Sequence, residues 1–391
     1  MAASRWLVLG LVLFVVFFSP GLVQAEVDET IFVDSIKEQL EVLELEELTR
    51  YVEVIDPDYR EYLPSLDWRQ IVSEEAFQID IGQILKLMLG TLFKEIILSG
   101  YLLKQLIVVA ILTAFLHQLQ ASLGNDSLVN LAFAVSFFVI VFIGLQSFRT
   151  ALNLAYHSLN DLATLMYAIL PLMSSLMAAV GGITSAALFH PVLLSVVTAI
   201  VSLSKTILFP LLNINALVGI MAHFSKEFPL ERFANLLRQV CIMLLSFFFT
   251  VFLGILAVRG AITPVTDGVA LRTAKFLTSS FVPVIGSMFA NAVEVVVGGS
   301  LLIKNTVGIF GLMLVFFMVA LPSLKIWAII FIYKVTGALL EPICDSRIIK
   351  TIASLESSLT LIFISLATVG LMFFIVITIL IGFSNFTALM R

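Results

Sequence analysis

Few side chains in this sequence could do chemistry, and Glu294, in the run "NAVEVVVGGS", comes first among them. A carboxylate inside an apolar segment is costly to bury unless it is paired or faces water, so it is a functional candidate by default. Lys304, Lys205 or Asp161 could pair with it. The close flanks Asn291 and Lys304 fit the other reading better, a helix at the membrane surface with Glu294 among headgroups. The four histidines, His117, His157, His190 and His223, are scattered, and none has ligand spacing with a cysteine or carboxylate. No metal site is therefore expected. Cys241 and Cys344 form no CxxC and sit in or beside apolar segments, so they read as small buried hydrophobes. No Walker loop, GxSxG or HExxH occurs. The sequence thus offers no hydrolytic machinery, no energy-coupling module and no cofactor site, and an enzyme is not expected.

The elements that hold these residues are membrane segments. Of 391 residues, 60% are hydrophobic and only 13% charged, against about 25% charged in a soluble domain. The expected fold is all-α, a polytopic helical membrane protein with about 7–10 segments of roughly 20 residues each. Clear spans are 101–118, 128–148, 237–258, 307–322 and 359–383. Segments 160–180, 185–204, 206–223, 276–297 and 324–340 are apolar but interrupted by Pro, Gly, Ser, Thr or a charge. Broken segments are tolerated where protein or a watery cavity satisfies the backbone.

Residues 1–25 read as a signal peptide: Arg5, an apolar core from Trp6 to Phe18, a break at Ser19-Pro20-Gly21, and Val23-Gln24-Ala25 as a small-residue cleavage site. An uncleaved anchor is the alternative. Residues 26–80 then lie outside the cytoplasm as a small helical region. They carry 17 acidic and 4 basic residues, either a solvated face or a docking surface. Residues 81–99 read as an amphipathic interfacial helix, with Ile84, Leu85, Met88, Leu89, Leu92, Phe93 and Ile96 on its apolar face, or equally as the tilted start of the first span. A first span and loop fill 100–127.

The remaining body carries an internal near-repeat. "VFIGLQSFRTALN", from Val141, matches "VFLGILAVRGAIT", from Val251, so that Gly144 and Arg149 correspond to Gly254 and Arg259. "ILPLMSSLMA" resembles "FVPVIGSMFA", pairing Pro171 with Pro283, and Pro210 pairs with Pro322. A glycine pair lies between the prolines of each copy, Gly181-Gly182 and Gly298-Gly299, and Arg238 corresponds to Lys350. The expected units are 128–237 and 238–350, with a terminal span and tail at 351–391. Repeat-built membrane proteins place pathways between repeats, using Gly- and Pro-broken helices. That makes Pro171, Gly181, Gly182, Pro210, Pro283, Glu294, Gly298, Gly299 and Pro322 candidate pathway or hinge residues. Plain helix packing through small residues is the competing account. Loops 224–238 and 341–358, each carrying Lys or Arg, fall on the cytoplasmic side if the acidic head is outside and 101–118 crosses inward. Arg259, Arg272 and Lys275 are basic too, so charge does not decide the orientation.

The signal, the acidic exported segment and a polytopic body carrying "VFLGILAVRGAITPVTDGVALRTAKFLTSSFVPVIGSMFANAVEVVVGGSLLIKNTVGI" together resemble the stage III sporulation protein AE family of endospore-forming bacteria. The resemblance covers essentially the whole chain and is most specific from Val251 to Ile309. It implies a permease-like component of a mother cell-to-forespore channel, resembling secretion systems and needed for late forespore gene expression. It also implies residence in the mother-cell membrane around the engulfed forespore. The implied partners are the other stage III A proteins and, across the intermembrane space, stage II sporulation protein Q. The family has no catalytic motif, so the resemblance assigns no catalytic, cofactor or metal residue. An independent secondary transporter and a non-conducting scaffold for the channel's ring proteins are the alternatives. The bilayer is the one certain surrounding, a homo-oligomer is compatible, and nothing points to nucleic acid.

Overall fold

The computed structural model describes residues 81–123, 126–224, 230–281 and 285–389. The expected signal and acidic region, and Pro283, lie outside the described residues, as do the side chains of Arg259 and Glu294. The described residues form eight α-helices and no strand: α1 Ile81–Leu98, α2 Gly100–Leu123, α3 Asp126–Ala179, α4 Ile183–Leu203, α5 Phe209–Met221, α6 Glu231–Phe281, α7 Ile285–Leu340 and α8 Ser346–Leu389. A single π turn, Ser204–Leu208, joins α4 to α5 without breaking the rod.

Among the described residues, five stretches are long and apolar enough to cross a membrane: Phe137–Ala179, Ile183–Met221, Glu231–Val258, Val296–Leu340 and Ser346–Gly382. The chain is an all-α, multi-pass membrane protein. The number of described helices is smaller than the number of apolar segments in the sequence because neighbouring segments merge. Segments 128–148 and 160–180 both lie on α3, and 307–322 and 324–340 both lie on α7. With 54 residues, α3 is about 80 Å long at 1.5 Å per residue. That length far exceeds a hydrocarbon core of roughly 30 Å.

Pro171 and Pro322 were the expected breaks, and both lie inside continuous helices. A proline removes one backbone hydrogen bond and crowds the carbonyl four residues before it. Around Pro171 the helix is held by packing instead: Ile169, Leu170, Met173, Leu176 and Met177 are all buried. Pro210 behaves differently. It opens α5 immediately after the π turn, and the wide turn relieves the crowding that its ring imposes on the preceding turn.

The core is built by α3, α7 and α8, which pack along their lengths. A Cβ on Gly144 of α3 would strike Leu355 of α8, and one on Gly308 of α7 would strike Ile381 of α8 and approach Met173 of α3. So α3 and α8 run parallel, and α7 runs antiparallel to both. Hydrophobic exclusion does little between helices in lipid, so close packing at small residues holds such bundles. Hydroxyls inside the core turn back on their own helices: Ser147 donates to the Ile143 carbonyl at 3.0 Å, Thr336 to Ile332 at 2.7 Å and Ser365 to Leu361 at 2.7 Å. Each polar side chain is thereby satisfied without a partner helix.

α1 follows the predicted amphipathic segment and packs against α7, with Glu95 paired to Lys325 at 3.6 Å. Its apolar residues Leu85, Leu89, Phe93 and Ile97 face outward.

Candidate functional site

Three helix faces meet around a polar cavity of about 230 Å³. Asn215 and Gly219 come from the end of α5 and His223 from the turn just after it, four residues apart along the chain. Glu231, Ala234, Asn235 and Arg238 form the matching face at the start of α6. Lys350, Ala353, Ser354, Ser357 and Ser358 form the face at the start of α8. The spacings i, i+3, i+4 and i+7 put each set on one side of its helix.

The floor is tight and buried. Asn215 and Ser358 are 5% and 2% exposed, and Asn215 Nδ2 donates to Ser358 Oγ at 3.3 Å. Ser358 Oγ in turn donates to the Ser354 carbonyl at 3.0 Å. Gly219 permits this approach, because a Cβ there would collide with Ser354 Oγ. His223 Nδ1 lies 2.8 Å from the Gly219 carbonyl. That contact makes Nδ1 the protonated nitrogen and leaves Nε2 the acceptor in the neutral ring.

The rim is charged and exposed. Arg238 and Lys350 supply two cations, Glu231 one carboxylate. Neither cation takes part in an ion pair among the described residues; the pairs there are Lys325–Glu95, Lys334–Glu356 and Arg347–Asp345. Asp345 fixes the start of α8: its Oδ1 accepts from the Arg347 backbone N–H at 2.8 Å, an N-cap that satisfies one of the orphan amides of the first turn. Cys344 precedes it. Burial, and then the Asp345 charge, push its thiol above the ordinary range. A thiol so raised is mostly protonated at neutral pH and a weak nucleophile. No disulfide joins Cys344 to Cys241.

The sequence marked 224–238 and 341–358 as loops that each carry Lys or Arg. In the structure both are largely first turns of helices, α6 from Glu231 and α8 from Ser346. It also matched Arg238 with Lys350 as repeat equivalents, and these two residues line the same cavity. The buried polar floor was missed. Asn215, Ser354 and Ser358 lie within or beside apolar runs, and only their helical spacing across separate segments could have pointed to a shared face.

The candidate hinge residues do not converge. Gly181 and Gly182 make the joint between α3 and α4, with Gly181 at φ 95°, a backbone conformation that glycine adopts without strain. Gly298 and Gly299 instead lie inside α7, so the two glycine pairs are not equivalent. Gly299 and the adjacent Ser300 are buried, which makes that pair a packing surface rather than a turn. Gly144 is buried against Leu355, whereas a Cβ on Gly254 would meet nothing within 4 Å. Gly254 therefore makes no close helix contact among the described residues. Arg149 is exposed on α3, and Arg259 falls at the corresponding mid-helix place on α6.

Of the groups suggested as partners for Glu294, Lys304 is fully buried on α7 and donates from Nζ to the Ile381 carbonyl. Lys205 lies in the π turn with its Nζ 5.5 Å from the centroid of the Tyr156 ring, within cation–π range. Asp161 is partly buried on α3. Among the described residues no group of three or more His, Cys, Asp and Glu side chains could hold a metal ion.

Over residues 66–384 the chain matches the family model described as stage III sporulation protein AE. It is 37% identical over 307 residues to a protein of Bacillus subtilis (strain 168) named stage III sporulation protein AE, covering 78% of this chain and 77% of that one. No solved structure matches.

Proposed function

Because the chain belongs to the stage III sporulation protein AE family, we propose that this multi-pass sporulation protein is the permease-like membrane component of a mother cell-to-forespore channel. In this reading it sits in the mother-cell membrane around the engulfed forespore and is needed for late forespore gene expression. It works beside the other stage III A proteins, and its acidic segment 26–80 reaches partners such as stage II sporulation protein Q in the intermembrane space. It acts without catalysis, by holding a protein-lined path. The family match over 66–384 carries this reading. The membrane-length helices agree with a component embedded in the membrane.

Single cysteines test it, placed at Gly181, Gly182, Asn215 and Ser358 in a background with Cys241→Ser and Cys344→Ser. A water path predicts that membrane-impermeant thiol reagents label these positions in sporulating cells, and that labelling lowers late forespore reporter expression. Unlabelled positions together with full reporter expression would reduce the chain to a scaffold. Companion cysteines at Arg149 and Arg259 test the duplication: a direct repeat puts both on one side of the membrane, and labelling from opposite sides rules it out.

A further inference from the structure

We propose that the cavity between Arg238 and Lys350 binds a phosphate-bearing anion, foremost the headgroup of an anionic phospholipid. The lining is net positive, with two cations that have no ion-pair partner among the described residues and one carboxylate. Ser354, Ser357 and Asn235 bring neutral hydrogen-bonding groups to the same cavity. Cations with hydroxyl and amide donors are the chemistry that recognises a phosphate. Both α6 and α8 begin here, so the positive ends of two long helices add to the field.

Depth and size argue for a lipid. From Gln239 to Val258, α6 has no charged residue, and α8 has none from Ser357 to its end at Leu389. The cavity thus lies where both helices pass from charged to uncharged sequence, the level at which phospholipid headgroups stand. A cavity of about 230 Å³ is smaller than the roughly 300–1,000 Å³ of sites for drug-sized ligands. It suits a phosphate with a small alcohol and is too small for a bulky solute. The exposed rim leaves an acyl chain free to run along the outside of the bundle.

The test uses the full-length protein in detergent micelles, with ligand affinity read by native mass spectrometry. The probes are dihexanoyl phosphatidylglycerol, dihexanoyl phosphatidylcholine and inorganic phosphate. The wild type should prefer phosphatidylglycerol to phosphatidylcholine. The double variant Arg238→Gln/Lys350→Gln should lose about tenfold or more in phosphatidylglycerol affinity, the scale of two charge-assisted contacts. Ala353→Phe, which fills the cavity and keeps every charge, should lose affinity comparably, with Ala353→Leu as the smaller filler should the larger one fail to fold. Lys86→Gln, an exposed lysine on α1, should change nothing. Displacement of phosphatidylglycerol by millimolar inorganic phosphate would assign the site to a soluble phosphate compound, and resistance to displacement assigns it to lipid. Wild-type affinity for both anions in the double variant overturns the site. Loss in the double variant without loss in the filled variant overturns it as well, because the attraction would then be a general surface effect.

Discussion

Lys304, fully buried on α7, donates from Nζ to the backbone carbonyl of Ile381 on α8 at 3.2 Å. No carboxylate among the described residues accompanies it. One carbonyl is weak compensation for a buried ammonium group. Lys304→Met keeps the length and removes the polar head, so the thermal midpoint should stay or rise. Lys304→Glu would set a carboxylate against a carbonyl oxygen and should cost about 3 kcal/mol or more. Thermal unfolding of the detergent-solubilised protein by near-UV circular dichroism decides. A large loss of stability in Lys304→Met would contradict this account of the pair.

Two glycines should answer oppositely to alanine. A Cβ on Gly370 of α8 would fall within 3.0 Å of Val319 Cβ and closer to its methyls. Val is stiff at χ1 and cannot swing aside, so Gly370→Ala should cost about 1–3 kcal/mol. A Cβ on Gly254 meets nothing, and Gly254→Ala should gain up to about 1 kcal/mol from helix propensity. The same unfolding measurement compares them. Equal losses at both sites would mean that Gly254 faces a partner in the membrane.

The floor of the cavity should behave as a coupled pair. Asn215→Ala and Ser358→Ala each break the 3.3 Å bond, so the double variant should cost less than the sum of the singles. The expected coupling is about 0.5–1.5 kcal/mol. Additive losses in the double-mutant cycle would remove the bond from the list of stabilising contacts.

Cys344 gives a pH dependence. Its thiol is raised first by burial and second by Asp345. The neutral form therefore persists to higher pH than in an ordinary thiol, which ionises near about 8.5. In a Cys241→Ser background, iodoacetamide should react slowly at neutral pH, and its rate should still be climbing well above the ordinary range. Asp345→Asn removes the second cause and should shift the rate profile to lower pH. A rate already level below the ordinary range would show a thiolate stabilised by something else.

The helical, membrane-embedded class was legible because hydropathy reports segments of apolar sequence directly. The joints were harder to read. Gly181-Gly182 and Gly298-Gly299 look alike in sequence, yet one pair turns the chain and the other lies within a helix. The difference lies in what surrounds them: Gly299 and Ser300 are buried by packing, and tertiary packing overrides a local breaker. Pro171 and Pro322 misled for the same reason. The basic ends at Arg238 and Lys350 were visible as a pair, but their common cavity was not. It depends on α5 lying close enough for Gly219 to touch Ser354, a contact between segments distant in the chain.

The uninterrupted course of α8 has a mechanical meaning. Its opening turns form one wall of the cavity, and the Ile381 carbonyl that holds Lys304 belongs to the same rod. Between Lys350 and Ile381 the helix runs about 46 Å at 1.5 Å per residue. A continuous hydrogen-bonded helix resists axial compression, so a sliding or tilting of α8 at one surface is also a displacement at the other. The molecule therefore contains a strut that connects an occupied or empty cavity at one end to a buried lysine contact at the far end.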